Sequence, residues 1–404
     1  MELVVSLEEA RKTILKNTVQ LEAETIEISV SLYRILAEDI YSEELIPPFH
    51  NCAMDGYAVL HSAIIGASKK EPMELELIGQ LTAGYTTQKT VGEGTAIKVM
   101  TGAPLPDGAD TVVPIEITFE EGNRVKIFKE IAKNDNIRFA GEDVKPGQLL
   151  IHKGEKITPY VIGMLAALNK KYIKVTRVPK VSLISTGDEL SDIGKVLLPG
   201  QIRDINTYSL SAQVVENGAN LINMSRTKDD RDEIQSKLEA ARGSDMIIIS
   251  GGVSVGDCDF VKEVLHDMGM KEVFWRIAVK PGKPVLFGIL DKTLIFGLPG
   301  NPVSAVVAFQ QFVLPALFKM KGNNTSPWKE ITAILEEDII KKRGLFHFIR
   351  GKTTNTEDKT YVKPYSLQSS GAFSSMIFSD CLIMMPEELT HVKSGEEIKI
   401  QMLN

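Results

Sequence analysis

The chain reads as a multidomain protein of the α/β plus β class, with a parallel-sheet α/β domain as its largest part. Three observations predict this. From Val178 onward, short apolar runs alternate with amphipathic stretches of helical length, the pattern of βαβ units feeding a parallel sheet. Between about Leu45 and Ala140, glycines, prolines and short β-rich runs such as Thr95–Met100 indicate a mostly β region with long loops. Residues 327–404 return to strand-like alternation and read as a small β domain. At 404 residues the chain exceeds one ordinary core, and two to four domains are expected.

The elements follow in order. Ser6-Leu7-Glu8-Glu9 has the form of a capping box, and Leu7, Ala10 and Ile14 then share one helical face. Leu32 to Asp39 reads as a second helix. Thr158-Pro159 opens a third, with Pro at the first helical position, running to Leu168. Val181–Ile184 reads as a strand. Asn206 can cap a helix whose Leu210, Val214 and Val215 share a face and which Gly218 ends. Leu221–Met224 is the next strand, Ile234, Leu238 and Ala241 mark a helix, and Met246–Ile249 is a third strand. Phe260 to Met268 is helical again, and a further helix starts at Pro302 and runs past Phe312. Lys321-Gly322-Asn323-Asn324-Thr325-Ser326-Pro327 is a linker.

Composition excludes several classes. A net charge of −7 gives no footprint for nucleic acid or an anionic membrane as the main partner. Cys52, Cys258 and Cys381 lie far apart and form no Cys-x-x-Cys pair, which fits a reducing cytoplasm. Met1-Glu2-Leu3 does not begin a signal peptide, and no apolar run approaches the roughly 20 residues that cross a bilayer. There is no Walker loop, no Gly-x-Gly-x-x-Gly fingerprint, no His-Glu-x-x-His or Cys/His zinc cluster and no nucleophile elbow.

Three segments that follow strands carry unusual residues. Ser185-Thr186-Gly187-Asp188-Glu189 projects hydroxyls and carboxylates at the sheet's carboxyl edge. Ser250-Gly251-Gly252 leads into a polar loop with Gly256, Asp257 and Asp259; adjacent glycines let backbone amides approach an anion. Leu298-Pro299-Gly300-Asn301-Pro302 opens a helix, whose free N–H groups and dipole also favour an anion. Each segment alone could be no more than a turn, but their occurrence at one edge of one sheet points to a pocket for a phosphate-bearing ligand. Arg276-Ile277-Ala278-Val279-Lys280-Pro281-Gly282-Lys283-Pro284 can bring positive charge to it; a solvated turn is the alternative, but the spacing around Pro281-Gly282 makes the lysines directional and favours the site. Gln201-Ile202-Arg203-Asp204 places a carboxylate before a helix.

Seven segments, in order, carry a family resemblance. They are Asn51-Cys52-Ala53-Met54-Asp55-Gly56-Tyr57-Ala58, Met100-Thr101-Gly102-Ala103-Pro104-Leu105-Pro106, Arg138-Phe139-Ala140-Gly141-Glu142-Asp143, Ser185-Thr186-Gly187-Asp188-Glu189-Leu190, Ser250-Gly251-Gly252-Val253-Ser254-Val255-Gly256, Lys280-Pro281-Gly282-Lys283-Pro284 and Leu298-Pro299-Gly300-Asn301-Pro302. Together they resemble the molybdopterin molybdenumtransferase family, which is related to the carboxyl-terminal domain of gephyrin, and the resemblance covers essentially the whole chain. It departs at Cys52, where the family commonly has Ser, and at His50, where an acid is frequent.

The resemblance implies a reaction in which adenylylated molybdopterin and molybdate are the substrates, AMP leaves, and molybdenum is ligated by the dithiolene sulfurs with the help of a divalent cation, usually Mg²⁺. It implies cation and nucleotide handling by Glu189 and Asp188, and nucleotide or phosphate contacts from Thr186, Gly187, Asp229, Ser250, Gly251, Gly252, Ser254 and Asp259. Arg276, Lys280 and Lys283 match basic residues suited to an anion, Pro299 and Pro302 shape the same rim, and Asp55, Thr101, Arg138 and Asp143 complete the cleft across a dimer interface. Ser370, and with it Arg350, corresponds to a position of the terminal domain facing that cleft. The implied architecture is an elongated homodimer. Its subunits comprise a discontinuous helical/mixed domain (1–45 and 144–176), a β-rich insertion (46–143), an α/β molybdopterin-binding domain (177–326) and a terminal small β-barrel-like domain (327–404). The implied partners are the molybdopterin adenylyltransferase and apo-molybdoenzymes. Two rival readings stand beside this one. The adenylyltransferase itself shares the α/β domain but is a single small domain; a gephyrin-like interaction scaffold would ordinarily carry a linker and a second enzyme domain.

Overall fold

A computed structural model describes residues 4–252 and 260–403. The chain divides into two compact units. One comprises residues 1–38, 153–158 and 172–404; the other comprises 39–152 and 159–171.

The larger unit begins with α1 (Leu7–Asn17). Its capping box forms as the sequence predicts, Ser6 Oγ accepting from the Glu9 N–H and Glu9 accepting from the Ser6 N–H. Leu7, Ala10 and Ile14 are buried. The α/β part then runs β1 (Lys180–Thr186), α2 (Asn206–Glu216), β2 (Asn220–Thr227), α3 (Arg231–Ala240), β3 (Met246–Ser250), α4 (Phe260–Asp267), β4 (Lys271–Phe274), β5 (Leu286–Leu290), β6 (Thr293–Leu298) and the long helix α5 (Pro302–Met320). The strand order is β2-β1-β3-β6-β5-β4. The first four are mutually parallel, but β5 and β4 pair antiparallel. The connection between β5 and β6 is only Asp291-Lys292, too short for a crossover, so the chain must fold back on itself.

Both faces of the sheet are covered, and the strand period of two sorts the side chains between them. Met246 and Ile248 join a core with α1, α2 and α5, including Leu210, Val214, Phe309 and Phe312. Ile247 and Ile249 join a second core with Ile234, Leu238, Val261 and Leu265 of α3 and α4. Fully burying each such side chain contributes on the order of 1.5–3 kcal/mol, which is why these strands read as unbroken apolar runs. α5 is 19 residues long and apolar enough to span a bilayer by length and composition, against the sequence expectation of no such run. It is a core helix, 83% buried in its most apolar window.

Three local readings of the sequence fail. Leu32–Asp39 is not a helix. Tyr33 has positive φ, and the N–H groups of Leu36 and Ala37 donate to the carbonyls of Glu155 and Lys174, so tertiary pairing satisfies a backbone that helical propensity alone would have coiled. Asn206 does not cap α2: the cap position is Ile205, Asn206 is the first helical residue, and its side chain goes elsewhere. Val215 also leaves the predicted buried face and is exposed.

The terminal segment forms a closed ring of five strands, Glu330–Leu335, Phe346–Asn355, Thr360–Pro364, Cys381–Met385 and Glu397–Met402. The short strand Val279–Lys280 joins it, Lys280 paired with His347. The smaller unit holds a six-stranded sheet in the order Thr111–Pro114, Gly56–Val59, Thr95–Val99, Met73–Leu81, Arg124–Ile127, Thr118–Glu121.

Candidate active site

The carboxyl ends of β1, β3 and β6 open into one cleft of about 640 Å³. Its lining includes Thr186, which ends β1, with Gly187 and Glu189 after it, Ser250, which ends β3, with Gly251 and Gly252 after it, and Pro299, Gly300, Asn301 and Pro302 after β6, together with Asp229. Parallel pairing aligns these three strand ends, Ser185 beside Ser250 and Ser250 beside Leu298.

Two glycines are required by geometry. Gly251 has φ +91°, and a Cβ there would lie 2.4 Å from the Thr186 carbonyl oxygen. Gly187 has φ +151°, and a Cβ there would lie 2.6 Å from Glu189 Oε2. The chain thus brings backbone and carboxylate together where no side chain fits. The Thr186 hydroxyl donates to the Asp229 carboxylate, and the Asp229 N–H approaches Asp188 Oδ1 at 3.4 Å. Asp188 and Glu189 are both exposed. Among the described residues no three His, Cys, Asp or Glu side chains converge to hold a metal by themselves. Ser254 and Asp259, with Gly256, Asp257 and Cys258, lie outside the described residues.

A second cavity of about 1010 Å³ adjoins the first, and Pro284 and Asn301 line both. Its walls carry Lys280, Lys283, Lys341, Lys342, Arg343, His347, Arg350 and Ser370, and no carboxylate among the described residues. Lys341 is buried and donates to the carbonyls of Leu345 (2.9 Å) and Glu387 (3.3 Å), and burial lowers its pKa. Arg350 is 1% exposed and donates to Ser375 Oγ and to the carbonyls of Leu367 and Ser369; burial pushes it down to about 10, still a cation at neutral pH. His347 is pushed down to about 4 by burial and by the charges of Lys341 and Lys280, so it is neutral here.

Arg276 lines neither cavity; its guanidinium sits over the Trp275 ring, 5.0 Å from the centroid. Asp55, Thr101, Arg138 and Asp143 belong to the smaller unit. There Asp55 Oδ1 accepts from the Thr101 N–H (2.7 Å) and hydroxyl (2.8 Å), which hold its carboxyl below the ordinary value. Arg138 pairs with Asn51 across a two-residue ladder, and Asp143 is exposed on the following turn. Cys52 is buried, and burial pushes its thiol up to about 12, so it packs rather than reacts.

Family models match the chain from end to end: the MoeA N-terminal region (domain I and II) over residues 5–169, a probable molybdopterin binding domain over 182–319 and the MoeA C-terminal region (domain IV) over 332–403. The chain is similar to a molybdopterin molybdenumtransferase of Haemophilus influenzae, 36% identical over 99% of both chains. The chain belongs to the molybdopterin molybdenumtransferase family. Another member of that family, from Bacillus subtilis, is 32% identical over 99% of this chain and 94% of its own. Among solved structures, the molybdopterin biosynthesis MoeA protein of Pyrococcus horikoshii aligns with a TM-score of 0.84 at 32% identity, covering 99% of each chain. Molybdopterin molybdenumtransferases are transferases, and full-length membership favours that reading over a single-domain adenylyltransferase.

Sequence reasoning placed several groups that line these cavities outside the site. Asp204 and Asn206, read only as a carboxylate before a helix and as its cap, sit in the first cleft; Lys341, Lys342, Arg343 and His347, given no role, sit in the second. The run Lys341-Lys342-Arg343 was available as a signal, but nothing local ties it to a motif far earlier in the chain. That link is the pairing of Val279–Lys280 with Phe346-His347.

Proposed function

We propose that this chain inserts molybdenum into adenylylated molybdopterin, taking molybdate as the second substrate and releasing AMP. The observation that carries the reading is the pair of cavities with a common wall at Pro284 and Asn301. One is built from glycine turns, hydroxyls and acids, which suits a pyrophosphate-bearing nucleotide. The other is lined by cations, with no carboxylate among the described residues, which suits a small dianion.

In this reading the Gly251 and Gly252 backbone meets the phosphates, while Thr186 and Asp229 hold each other in place beside them. Lys280, Lys283 and Lys341 supply the field that draws molybdate, and Ser370 offers it a hydroxyl. Arg350 spends its donors on the carbonyls of Leu367 and Ser369 and so fixes the loop that carries Ser370. Glu189 and Asp188 fit a Mg²⁺ bound by one or two carboxylates with substrate phosphates and water completing its shell, not an all-protein cage. Such an ion would neutralise charge on the anhydride as it breaks. We further propose, from the family resemblance, a cytoplasmic homodimer that receives its substrate from the molybdopterin adenylyltransferase and passes its product to apo-molybdoenzymes.

The test is AMP release from adenylylated molybdopterin with Mg²⁺, with and without molybdate. The wild-type chain is expected to release AMP only when molybdate is present. Glu189→Gln is expected to lower the rate about 100-fold or more with an unchanged circular dichroism spectrum. Molybdate-independent or absent release by the wild type would sink the proposal; full activity in the variant would remove Glu189 from it.

A further inference from the structure

Asn206 sits at the first position of α2, 8% exposed, and lines the first cleft. Its Nδ2 donates to Ser250 Oγ at 2.8 Å and to the Gly300 carbonyl at 2.8 Å. Ser250 ends β3 and opens the Gly251-Gly252 turn; Gly300 lies in the loop after β6. One carboxamide therefore ties two walls of the cleft together, and a Cβ placed on Gly300 would be only 3.7 Å from Gly251 Cα.

The neighbouring residues of the same turn reach the third wall. Thr207 Oγ1 lies 2.8 Å from Ser185 Oγ and 2.6 Å from Asp204 Oδ2, and Ser185 Oγ donates to Asp204 Oδ2 at 2.8 Å. The first turn of α2 thus meets the ends of β1 and β3 and the loop after β6. The Asn206 Oδ1 is buried with no partner among the described residues. A buried acceptor left unpaired costs free energy, and the fold carries that cost while keeping both donated bonds.

We infer that Asn206 is a positioning residue: its carboxamide sets the spacing between the Gly251-Gly252 amides and the Pro299–Pro302 loop, and through that spacing the fit of the nucleotide substrate. It touches none of the reacting groups. The inference rests on the proposed function, and it separates Asn206, whose hydrogen bonds go to Ser250 and Gly300, from the lysines and arginines of the cationic cavity.

The test compares wild type with Asn206→Ala and Asn206→Asp; the latter keeps the shape but has no N–H to give. Expected are a fall in kcat/KM for adenylylated molybdopterin of about 10- to 100-fold and a comparable weakening of AMP binding by calorimetry. Half-saturating molybdate should stay within about twofold, and thermal unfolding should remain cooperative. Unchanged nucleotide parameters in a variant of an active wild type would overturn the role. So would an equal shift in the molybdate response, or loss of the folded state in both variants, since either would make Asn206 a general structural residue. A wild-type chain that releases no AMP would instead overturn the proposed function itself.

Discussion

Lys280 ends a two-residue strand, and Lys283 follows three positions later, before β5 begins. Removing one cation from a charge-assisted contact costs about 1.5 kcal/mol, a factor of roughly ten. Lys280→Ala is therefore expected to raise half-saturating molybdate about tenfold and leave the KM for adenylylated molybdopterin nearly unchanged; equal molybdate curves would exclude Lys280 from that anion. The neutrality of His347 sharpens this expectation, because the cavity's positive charge then comes from its lysines and arginines alone. At this scale the sequence was legible where a glycine or proline punctuates a strand end. It misread Asn206 as a helix cap, because that residue type commonly caps helices and only the folded neighbours show where its amide points.

At the scale of elements, α5 and the start of β3 each make a testable junction. α5 contains a π-helical segment, Phe309–Val313, with Gln311 fully buried. Gln311 accepts from Arg11 of α1 and donates to Gln401 of the terminal strands at 3.0 Å. Arg11, its guanidinium 4.0 Å from the Trp328 ring centroid, is pushed down to about 10 by burial yet stays charged at neutral pH. Gln311→Leu leaves that cation without its acceptor and is expected to cost about 2–4 kcal/mol, read by denaturant unfolding. Just before β3, Asp245 takes a bidentate pair from Arg177, both contacts at 2.6 Å, and a bond from the Lys180 N–H at 2.7 Å. Burial opposes its ionisation, but these bonds outweigh burial and hold its carboxyl below the ordinary value. A depressed carboxyl contributes stability above its unfolded pKa and loses it as pH falls through the folded one. In Arg177→Ala the burial is unopposed by the guanidinium, so the destabilisation should be larger at pH 7 than at pH 4; an equal loss at both would show that the pair is not coupled to Asp245's proton. Elements with periodic cores were readable in sequence. Leu32–Asp39 was not, since the N–H groups of Tyr33, Leu36 and Ala37 find partners more than a hundred residues away.

For the whole molecule, the proposed homodimer predicts a solution mass of twice the chain's 44.5 kDa, measured by light scattering on a sizing column; a single-chain mass at working concentration would count against it. The central fold class was readable because a sheet covered on both faces writes unbroken apolar strands into the sequence. The ring of the terminal segment was readable only as alternation, since closure depends on Phe346–Asn355 also meeting Cys381–Met385. The reversal at Asp291-Lys292 has a practical consequence. It makes β5 run against its neighbours, so Lys283 and Pro284 reach the ligand edge from the strand's beginning, and the turn itself is left at the opposite edge beside Asp245 and Leu294. Both turn residues are exposed. A fluorophore or surface tether attached at Lys292 would hold the molecule by its back and leave both cavities open to solution.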